Sequence, residues 1–481
     1  MIKFKLHLGE NKEKSWKVFS GSIDSGRKYR DISVHSRSVI TGVSIIERFG
    51  EDLRRLKFYD LEVARIGAFT ESFAQLQKLE KLEFDSCVVK KECLELQSVN
   101  GADLPKLNTL ILERSNWTVK FLIFFNVCVP ELISFQFLEL VKHAQLETLK
   151  INNRGLGRRA VNARFVDLLS NQKNLNMIAL SSMDFDDSGI SLQQVQQLDF
   201  PLKKLALNNL TTLFGSDDNF TEFMKAIGNT LEELEVTHRY HQSSSLYEAI
   251  FKHLHELQVL DVNIRFAPDK RSTDFYNSFG INSSIKTLIL RTYHKSYDQR
   301  ILRGFITNLP SLETLIIDGG EILKKYLRLI SVNLHQLKQL NFKAASGGVF
   351  KNVTLPNVTT LHLTVAWPSE RPDWKMICRA FPNIENLSLE TLHDIDFGSV
   401  SLFTEAWKKS LRVVFMGGKF NADTRKVDLF FKNCEHIENL NLSGKAVGKG
   451  NKGLKHAFPK VTYTNKSFVR GAIDFNLWMA E

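Results

Sequence analysis

The chain has 481 residues, of which 43% are hydrophobic and 24% charged, so its composition excludes a disordered protein. With 10 prolines and 26 glycines, it is also unlike a collagen or a linker-rich chain. The formal net charge is +11, of which residues 1–50 and residues 445–481 contribute +5 each. Because phosphate binding needs a continuous basic surface, this division favours two solvated basic ends over a nucleic-acid interface.

The sequence predicts neither a secretory signal nor a membrane span. Residues Met1–Leu8 alternate apolar and charged side chains and lack the apolar core of a signal peptide. The apolar run Phe121–Phe125 is far shorter than the roughly 18 residues that cross a membrane. The 5 cysteines are scattered and odd in number, which is typical of a reducing compartment. We therefore expect a cytoplasmic or nuclear protein without membrane contact.

A spacing of apolar residues recurs along the whole chain. It is clear in Leu76–Phe84 and returns, for example, in Leu309–Ile317, in the form LxxLxxLxL. The final L-x-L pair alternates as in a short strand, and the spacing is the leucine-rich-repeat signature. In chain order, the first apolar residue of each predicted strand pair is Phe4, Ile32, Leu56, Leu82, Leu110, Leu149, Ile178, Leu205, Leu234, Leu260, Leu288, Leu315, Leu340, Leu361, Leu387, Val414, Leu440 and Val461.

Helices are predicted between several of these strands, where apolar residues lie three and four apart. The predicted helical stretches are Phe223–Ile227, Leu246–Leu254, Ile301–Ile306, Tyr326–Ile330 and Trp374–Phe381. The pattern predicts an α/β leucine-rich-repeat solenoid, a horseshoe of about 18 strand–helix repeats with a mean period near 27 residues. We assign residues 1–464 to this solenoid and 465–481 to a C-terminal cap or tail, and expect one more strand at Phe135–Phe137.

The repeats depart from the signature at one position. The Asn or Cys that usually stands three residues after the L-x-L pair occurs only as Cys87. The turn at that point must therefore satisfy its backbone polar groups in another way in most repeats.

These degenerate repeats resemble the leucine-rich-repeat half of F-box proteins over most of the chain. The resemblance implies substrate selection for a cullin–RING ubiquitin ligase. No F-box is detected, because the Leu-Pro pairs, such as Leu104–Pro105, lie inside repeats. The chain also begins with a predicted strand whose edge nothing covers, and open edges favour association. We therefore hypothesise a lost or absent N-terminal helical module, which would carry the contact with the ligase adaptor.

No cofactor, metal or catalytic site is predicted. The stretch Gly444–Gly450 has three residues rather than four between its first two glycines and no hydroxyl after its second lysine, so it does not match a phosphate loop. His253 and His255 are two apart and would point to different faces of a helix, whereas a zinc pair needs a spacing of four. An enzyme is therefore the function class that the sequence favours least.

The strand residues before, between and after each L-x-L pair should form the concave, partner-binding face. Basic residues dominate its N-terminal end, acidic residues follow, and small neutral residues such as Thr287, Thr360 and Ser388 come later. Alternating charge blocks select a complementary protein and its register. The candidate partner-binding residues are Lys5, Arg55, Lys57, Tyr59, Lys81, Glu83, Asp85, Glu113, Glu233, Glu235 and Asp261. We expect joint charge reversal of Lys57 and Lys81 to weaken partner binding and to leave folding intact.

The sequence is compatible with three functions. The first is a substrate-recognition subunit of a cullin–RING ubiquitin ligase, or a derivative of one. The second is an interaction scaffold without a ligase link. The third, which the charge distribution disfavours, is a nucleic-acid binder that uses its basic ends.

Overall fold

The structure of the chain is a computed structural model with two compact units, Met1–Glu256 and Leu257–Glu481. The residues that it describes are 3–7, 29–35, 39–63, 72–89, 104–113, 146–152, 169, 172–181, 201–208, 217–237, 244–263, 279–291, 299–344, 346–365, 373–395, 397–420, 434 and 436–443.

The first unit contains a ladder of parallel strands that follow one another in chain order. Its strands are β1 (Lys3–His7), β2 (Asp31–His35), β3 (Arg55–Tyr59), β5 (Lys81–Asp85), β7 (Thr109–Glu113), β8 (Thr148–Asn152), β9 (Met177–Ser181), β10 (Lys204–Asn208) and β11 (Glu233–Thr237). A separate two-stranded sheet pairs β4 (Glu62–Val63) with β6 (Val88–Val89). Every predicted strand from Phe4 to Leu234 is confirmed, apart from Phe135–Phe137, which lies outside the described residues.

The strand register places equivalent leucines side by side. Ile32 pairs with Leu56, and Leu56 pairs with Leu82 on the next strand. These side chains are almost fully buried. Burial of each is worth roughly 1.5–3 kcal/mol, so the stacked apolar row supplies the main attraction between repeats.

Helical segments cover the buried side of this ladder. They are α1 (Val39–Phe49), α2 (Asp217–Ile227) and α3 (Ser244–His253), with short 3-10 turns at Gly50–Asp52 and Phe73–Gln75. Close contact between α2 and α3 requires Gly228, because a Cβ there would lie 2.2 Å from the His253 carbonyl oxygen. The predicted helices at 223–227 and 246–254 are confirmed, whereas α1 was not predicted.

The second unit repeats the design with a second parallel ladder. Its strands are β12 (Val259–Asn263), β13 (Thr287–Arg291), β14 (Thr314–Ile322), β15 (Gln339–Ala344), β16 (Thr360–Val365), β17 (Asn386–Ile395), β18 (Val413–Phe420) and β19 (Asn439–Ser443). Five of them, β14 to β18, are longer than the five-residue strands of the first ladder. The register shifts inside β14 and β17, and Gly319 in β14 takes a φ of 88°, which glycine tolerates.

Three helices of the second unit lie where the apolar spacing predicts them. They are α4 (Gln299–Asn308), α5 (Lys324–Asn333) and α6 (Trp374–Ala380), and an unpredicted α7 covers Phe397–Ala406. Trp374 and Trp407 pack against Phe403 from two sides, at ring-centroid distances of 5.1 and 5.4 Å. The Trp407 indole N–H donates to the Phe381 carbonyl at 2.7 Å, so this large side chain is buried with its polar atom satisfied.

A carbonyl just before each strand accepts two backbone N–H groups from the next repeat. In the first unit, Arg30 O accepts from Arg54 and Arg55, and Arg54 O accepts from Glu80 and Lys81. In the second unit, Lys338 O accepts from Thr359 and Thr360 in the same way. We call the residues that carry these carbonyls the edge row. Their ladder fixes repeat spacing without any required side chain, which explains how the stack tolerates degenerate sequence.

The turn after β5 is built around the single residue that matches the signature. Cys87 is buried, and its thiol lies 3.6 Å from Phe58 O and 3.5 Å from Asp85 O. Asp60 and Ser86, which follow β3 and β5, both take positive φ angles, 54° and 58°. The turn is therefore the same in these two repeats although only one carries the cysteine.

The parallel ladders, the inward leucines and the intervening helices establish an α/β leucine-rich-repeat solenoid. The strand predicted at Val461 and the cap or tail at 465–481 lie outside the described residues, so the boundary at 464 stays a prediction. Among the described helices, none has the length and apolarity needed to cross a membrane.

Candidate functional site

The strand face is the side of each ladder opposite the leucines, formed by the residues before, between and after each L-x-L pair. Sequence reasoning treats these positions as solvated, but several central ones are buried between neighbouring strands. Glu83 is 8% exposed, Lys150 2%, Glu235 7% and Asp261 1%. Burying a charge is costly unless the charge is paired, so the partners of these residues matter as much as the residues themselves.

Six side chains on β2, β3 and β5 form what we call the N-terminal cluster: His35, Lys57, Tyr59, Lys81, Glu83 and Asp85. Its aromatic part is a stack of His35 on Tyr59, with ring centroids 3.9 Å apart and planes 9° apart. The Lys57 ammonium lies over the Tyr59 ring, 4.3 Å from its centroid. Such a contact stabilises a desolvated cation by about 0.5–2 kcal/mol.

The charged part of the cluster is a set of ion pairs. Lys57 forms an ion pair with Glu83 and lies 3.9 Å from Asp85, while Lys81 lies 3.5 Å from the other Glu83 oxygen. Burial acts to lower the pKa of the Lys57 ammonium, but hydrogen bonds to Glu83 and Tyr59 outweigh it and the pKa rises. Lys57 therefore keeps its charge at neutral pH, and its contacts hold it in one place.

Further along the first unit, acidic residues follow as the sequence predicts. Lys204 forms an ion pair with Glu233 at 3.0 Å, and the second Glu233 oxygen is buried without a hydrogen-bond partner among the described residues. Glu235 is buried on the same strand. Lys150, a buried cation on β8, was not among the predicted site residues. It could have been predicted from the sequence, because it stands between the two leucine-type residues of its L-x-L pair.

Asp261, the predicted site residue of the second unit, is held by an arginine on the next strand. Arg291 donates to both Asp261 oxygens, with Nη2 at 2.7 Å and Nε at 2.9 and 3.0 Å. Burial raises the pKa of the Asp261 carboxyl, and the guanidinium opposes that rise. The carboxylate is almost inaccessible, and its contact with Arg291 joins β12 to β13.

Nine side chains on β15, β16 and β17 form a second arrangement, which we call the polar grid. Its rows, set by strand register, are Gln339–Thr360–Asn386, Asn341–His362–Ser388 and Lys343–Thr364–Glu390. All nine are half-exposed. Asn386 donates to the Thr360 hydroxyl at 3.1 Å, and Lys343 forms an ion pair with Glu321 at 2.9 Å. Sequence reasoning identified this region only as small and neutral.

His362 lies at the centre of the polar grid. Burial lowers the pKa of its imidazole, and the nearby carboxylates of Glu390 and Asp318 act in the opposite direction. Beside it, the Ser388 hydroxyl is buried and has no hydrogen-bond partner among the described residues. The grid therefore presents a neutral imidazole, amides and hydroxyls that are available for hydrogen bonds.

The structure brings most of the predicted site residues together, in two separate groups. Lys57, Tyr59, Lys81, Glu83 and Asp85 form one contact network, and Arg55 is exposed at its border. Glu233 and Glu235 share β11. Lys5 and Glu113 lie on β1 and β7, but their side chains are outside the described part of the chain. Their assignment to the site stays a prediction, as does partner binding by the whole set.

The remaining candidate chemistry is limited. Burial raises the pKa of the Cys87 and Cys378 thiols to about 12 and that of Cys434 to about 11, so these thiols resist oxidation and alkylation. Within the described ranges, no three His, Cys, Asp or Glu side chains are placed to hold a metal ion. His253 ends α3 and His255 is exposed in the following turn. Gly444–Gly450 lies outside the described residues.

No family model matches the sequence, and no curated protein matches it. Three solved structures are similar at 13% sequence identity. The yeast complex of Rad7 and Elc1 matches over 73% of this chain and 79% of that chain with a TM-score of 0.38. An internalin from Listeria monocytogenes matches over 78% and 82% with a TM-score of 0.34. The mouse RP105/MD-1 complex matches over 88% and 80% with a TM-score of 0.36. The fold assignment rests on the strand ladders and their register.

Proposed function

We propose that the chain is a protein-interaction module that binds a protein partner on its strand face. The observation that supports this most directly is the N-terminal cluster, in which ion pairs and an aromatic stack hold cationic groups in fixed positions on an open sheet face. Fixed charges of this kind select a complementary partner and lose little entropy on binding. The proposal assigns no catalytic step.

We further propose that this binding serves substrate recognition for a cullin–RING ubiquitin ligase, either in a ligase subunit or in a derivative of one. The support is the resemblance of the degenerate repeats to the leucine-rich-repeat half of F-box proteins. A scaffold without a ligase link is the alternative. Co-purification with the small adaptor subunit of the ligase separates the two. Recovery of the adaptor supports the ligase role, and its absence from a partner-bound complex supports the scaffold.

Partner binding itself is tested with a double variant, Arg55→Gln with Lys81→Gln. It removes two cations from the border of the cluster and keeps the contact between Lys57 and Glu83. Two lost charge contacts at about 1 kcal/mol each should lower recovery of the native partner by tenfold or more.

The matched control is Lys78→Gln with Lys203→Gln, which removes two exposed cations that lie off the strand face, paired with Asp52 and Glu232. It should bind as the wild type does. Equal recovery of the partner by the wild type and both double variants, at unchanged melting temperature, would contradict the proposed binding face.

A further inference from the structure

The polar grid differs from an ordinary protein interface in having no apolar member. Ile316 and Phe415, the central-row residues on the strands to either side, are both buried. The central row of the grid is therefore three strands wide, about 10 Å at ~4.8 Å per strand. Along the strands, four residue steps give about 13 Å. This area matches three or four residues of a polypeptide and not a broad hydrophobic contact.

The side chains of the grid suit a segment with unsatisfied backbone groups. Amides, hydroxyls and a neutral imidazole both donate and accept hydrogen bonds. A helix satisfies its own backbone and docks through an apolar stripe, which the grid does not offer. An extended or loop segment presents free N–H and C=O groups, which such side chains can bind.

The charge on the grid is negative once its ion pair is counted. Lys343 is neutralised by Glu321 at 2.9 Å. Glu390 has no ion pair among the described residues, and its carboxylate, together with that of Asp318, acts on the central His362. The Glu390 carboxylate beside a neutral imidazole attracts a cation and repels phosphate.

We infer that the polar grid binds an extended or loop segment of a protein partner that places one Lys or Arg side chain beside His362, against the Glu390 carboxylate. This inference rests on the proposed protein-binding function and adds a second contact with its own chemistry. The cation would pair with Glu390, while the grid amides and hydroxyls would bind the backbone on either side of it.

The test uses the purified full chain and an array of synthetic nonapeptides. Eight positions are limited to Ser, Thr, Asn, Gln and Gly, and the central one is Arg, Gln or Glu. One charge-assisted hydrogen bond should make peptides with central Arg bind about tenfold more tightly than those with central Gln. Glu390→Gln should remove that preference, and Glu390→Lys should shift it towards central Glu. Glu405→Gln, which removes an exposed carboxylate from α7, is the matched control and should keep it.

Three results would overturn the inference. In the first, the wild type binds all peptides equally, whatever their central residue. In the second, Glu390→Gln and Glu405→Gln have the same effect on the preference for Arg. In the third, a nine-nucleotide single-stranded RNA binds more tightly than any peptide. Thermal melts check that the Glu390 variants are folded. Failure here leaves the proposed function standing, because that function is tested by native-partner recovery with Arg55 and Lys81 variants on the other unit.

Discussion

On the strand face of the first unit, charged side chains satisfy one another, whereas at the polar grid of the second unit uncharged side chains remain available. The N-terminal cluster carries lysines and carboxylates in direct contact, with Lys57 between Glu83 and Tyr59. The grid carries amides, hydroxyls and one imidazole around a single ion pair. The same repeat backbone thus provides a charged, preorganised surface in one place and a mostly uncharged hydrogen-bonding surface in another.

This difference arises from three strand positions per repeat, because the leucines on the buried side are equivalent throughout. A repeat protein can therefore change its binding chemistry without disturbing the core that stacks its repeats. The more deeply a charge is buried, the more its removal should lower the free energy of unfolding.

The largest effect is expected where a charge is most buried. Arg291→Ala leaves Asp261, which is 1% exposed, without its guanidinium and should lower the free energy of unfolding by about 3–5 kcal/mol. Arg54→Ala removes an exposed partner of Glu80, and should cost less than about 1 kcal/mol. Urea unfolding of both variants measures the contrast. A similar loss of unfolding free energy in the two variants would mean that burial does not determine how much these ion pairs stabilise the protein.

A smaller effect is expected in the N-terminal cluster. Charge reversal of Lys57 and Lys81 was predicted from sequence to leave folding intact, but both ammonium groups contact Glu83. Glutamates at these positions would add repulsion beside Glu83 and Asp85, and should destabilise the protein by about 2 kcal/mol. Urea unfolding would show it, and Lys78→Glu with Lys203→Glu serves as the exposed control. An unchanged unfolding midpoint would show that the cluster contacts carry no net stability.

At the polar grid, the free energy of unfolding should depend on pH through His362. The folded-state pKa of His362 lies below its ordinary value of 6.5, so the unfolded state binds the proton more readily. Its contribution to stability is present above pH 6.5 and is lost as the pH falls towards the folded-state pKa. Between pH 7.5 and 5.5 the wild type should therefore lose more stability than His362→Asn. If chemical denaturation showed that the wild type and His362→Asn lose the same stability over this pH range, the prediction would be wrong.

The smallest effect is expected on the edge row. Lys338 contacts Glu313 at 2.6 Å, and this hydrogen bond lowers the pKa of the Glu313 carboxyl. Both groups are solvated, so Lys338→Gln should leave the urea midpoint of unfolding nearly unchanged. It should nevertheless move the Glu313 titration upwards, which NMR of the carboxyl carbon would detect. A large loss of stability would show that side-chain pairs, and not the carbonyl ladder, hold adjacent repeats in place.

The leucine spacing predicted the strands because the repeat imposes them locally, and the described strands from Phe4 to Leu440 lie where it placed them. Burial on the strand face was not predictable in this way. The accessibility of Asp261 depends on Arg291, 30 residues away on the next strand, and the sequence does not show that the two side chains meet. The register shifts that lengthen β14 and β17 were missed because the repeat signature ends before them.

The candidate site was predicted in part for the same reason. Most residues of the N-terminal cluster stand out in sequence through their charge, so five of its six members are among the candidate partner-binding residues. Only two of the nine members of the polar grid are charged, and Asn341, His362 and Ser388 become a surface only when the strand register places them side by side. A contact formed across three repeats leaves no signal within any one of them.

Affinity purification of the full chain from native cells, followed by mass spectrometry, tests the central claim that the strand face binds a protein partner. Wild type is compared with three variants, each melting at the wild-type temperature. They are Arg55→Gln with Lys81→Gln, Glu390→Gln, and the off-face control Lys78→Gln with Lys203→Gln. We predict at least one protein that the wild type and the control recover equally and that the Arg55 and Lys81 variant recovers at one tenth or less. Recovery of the same proteins, in the same amounts, by all four chains would contradict the claim.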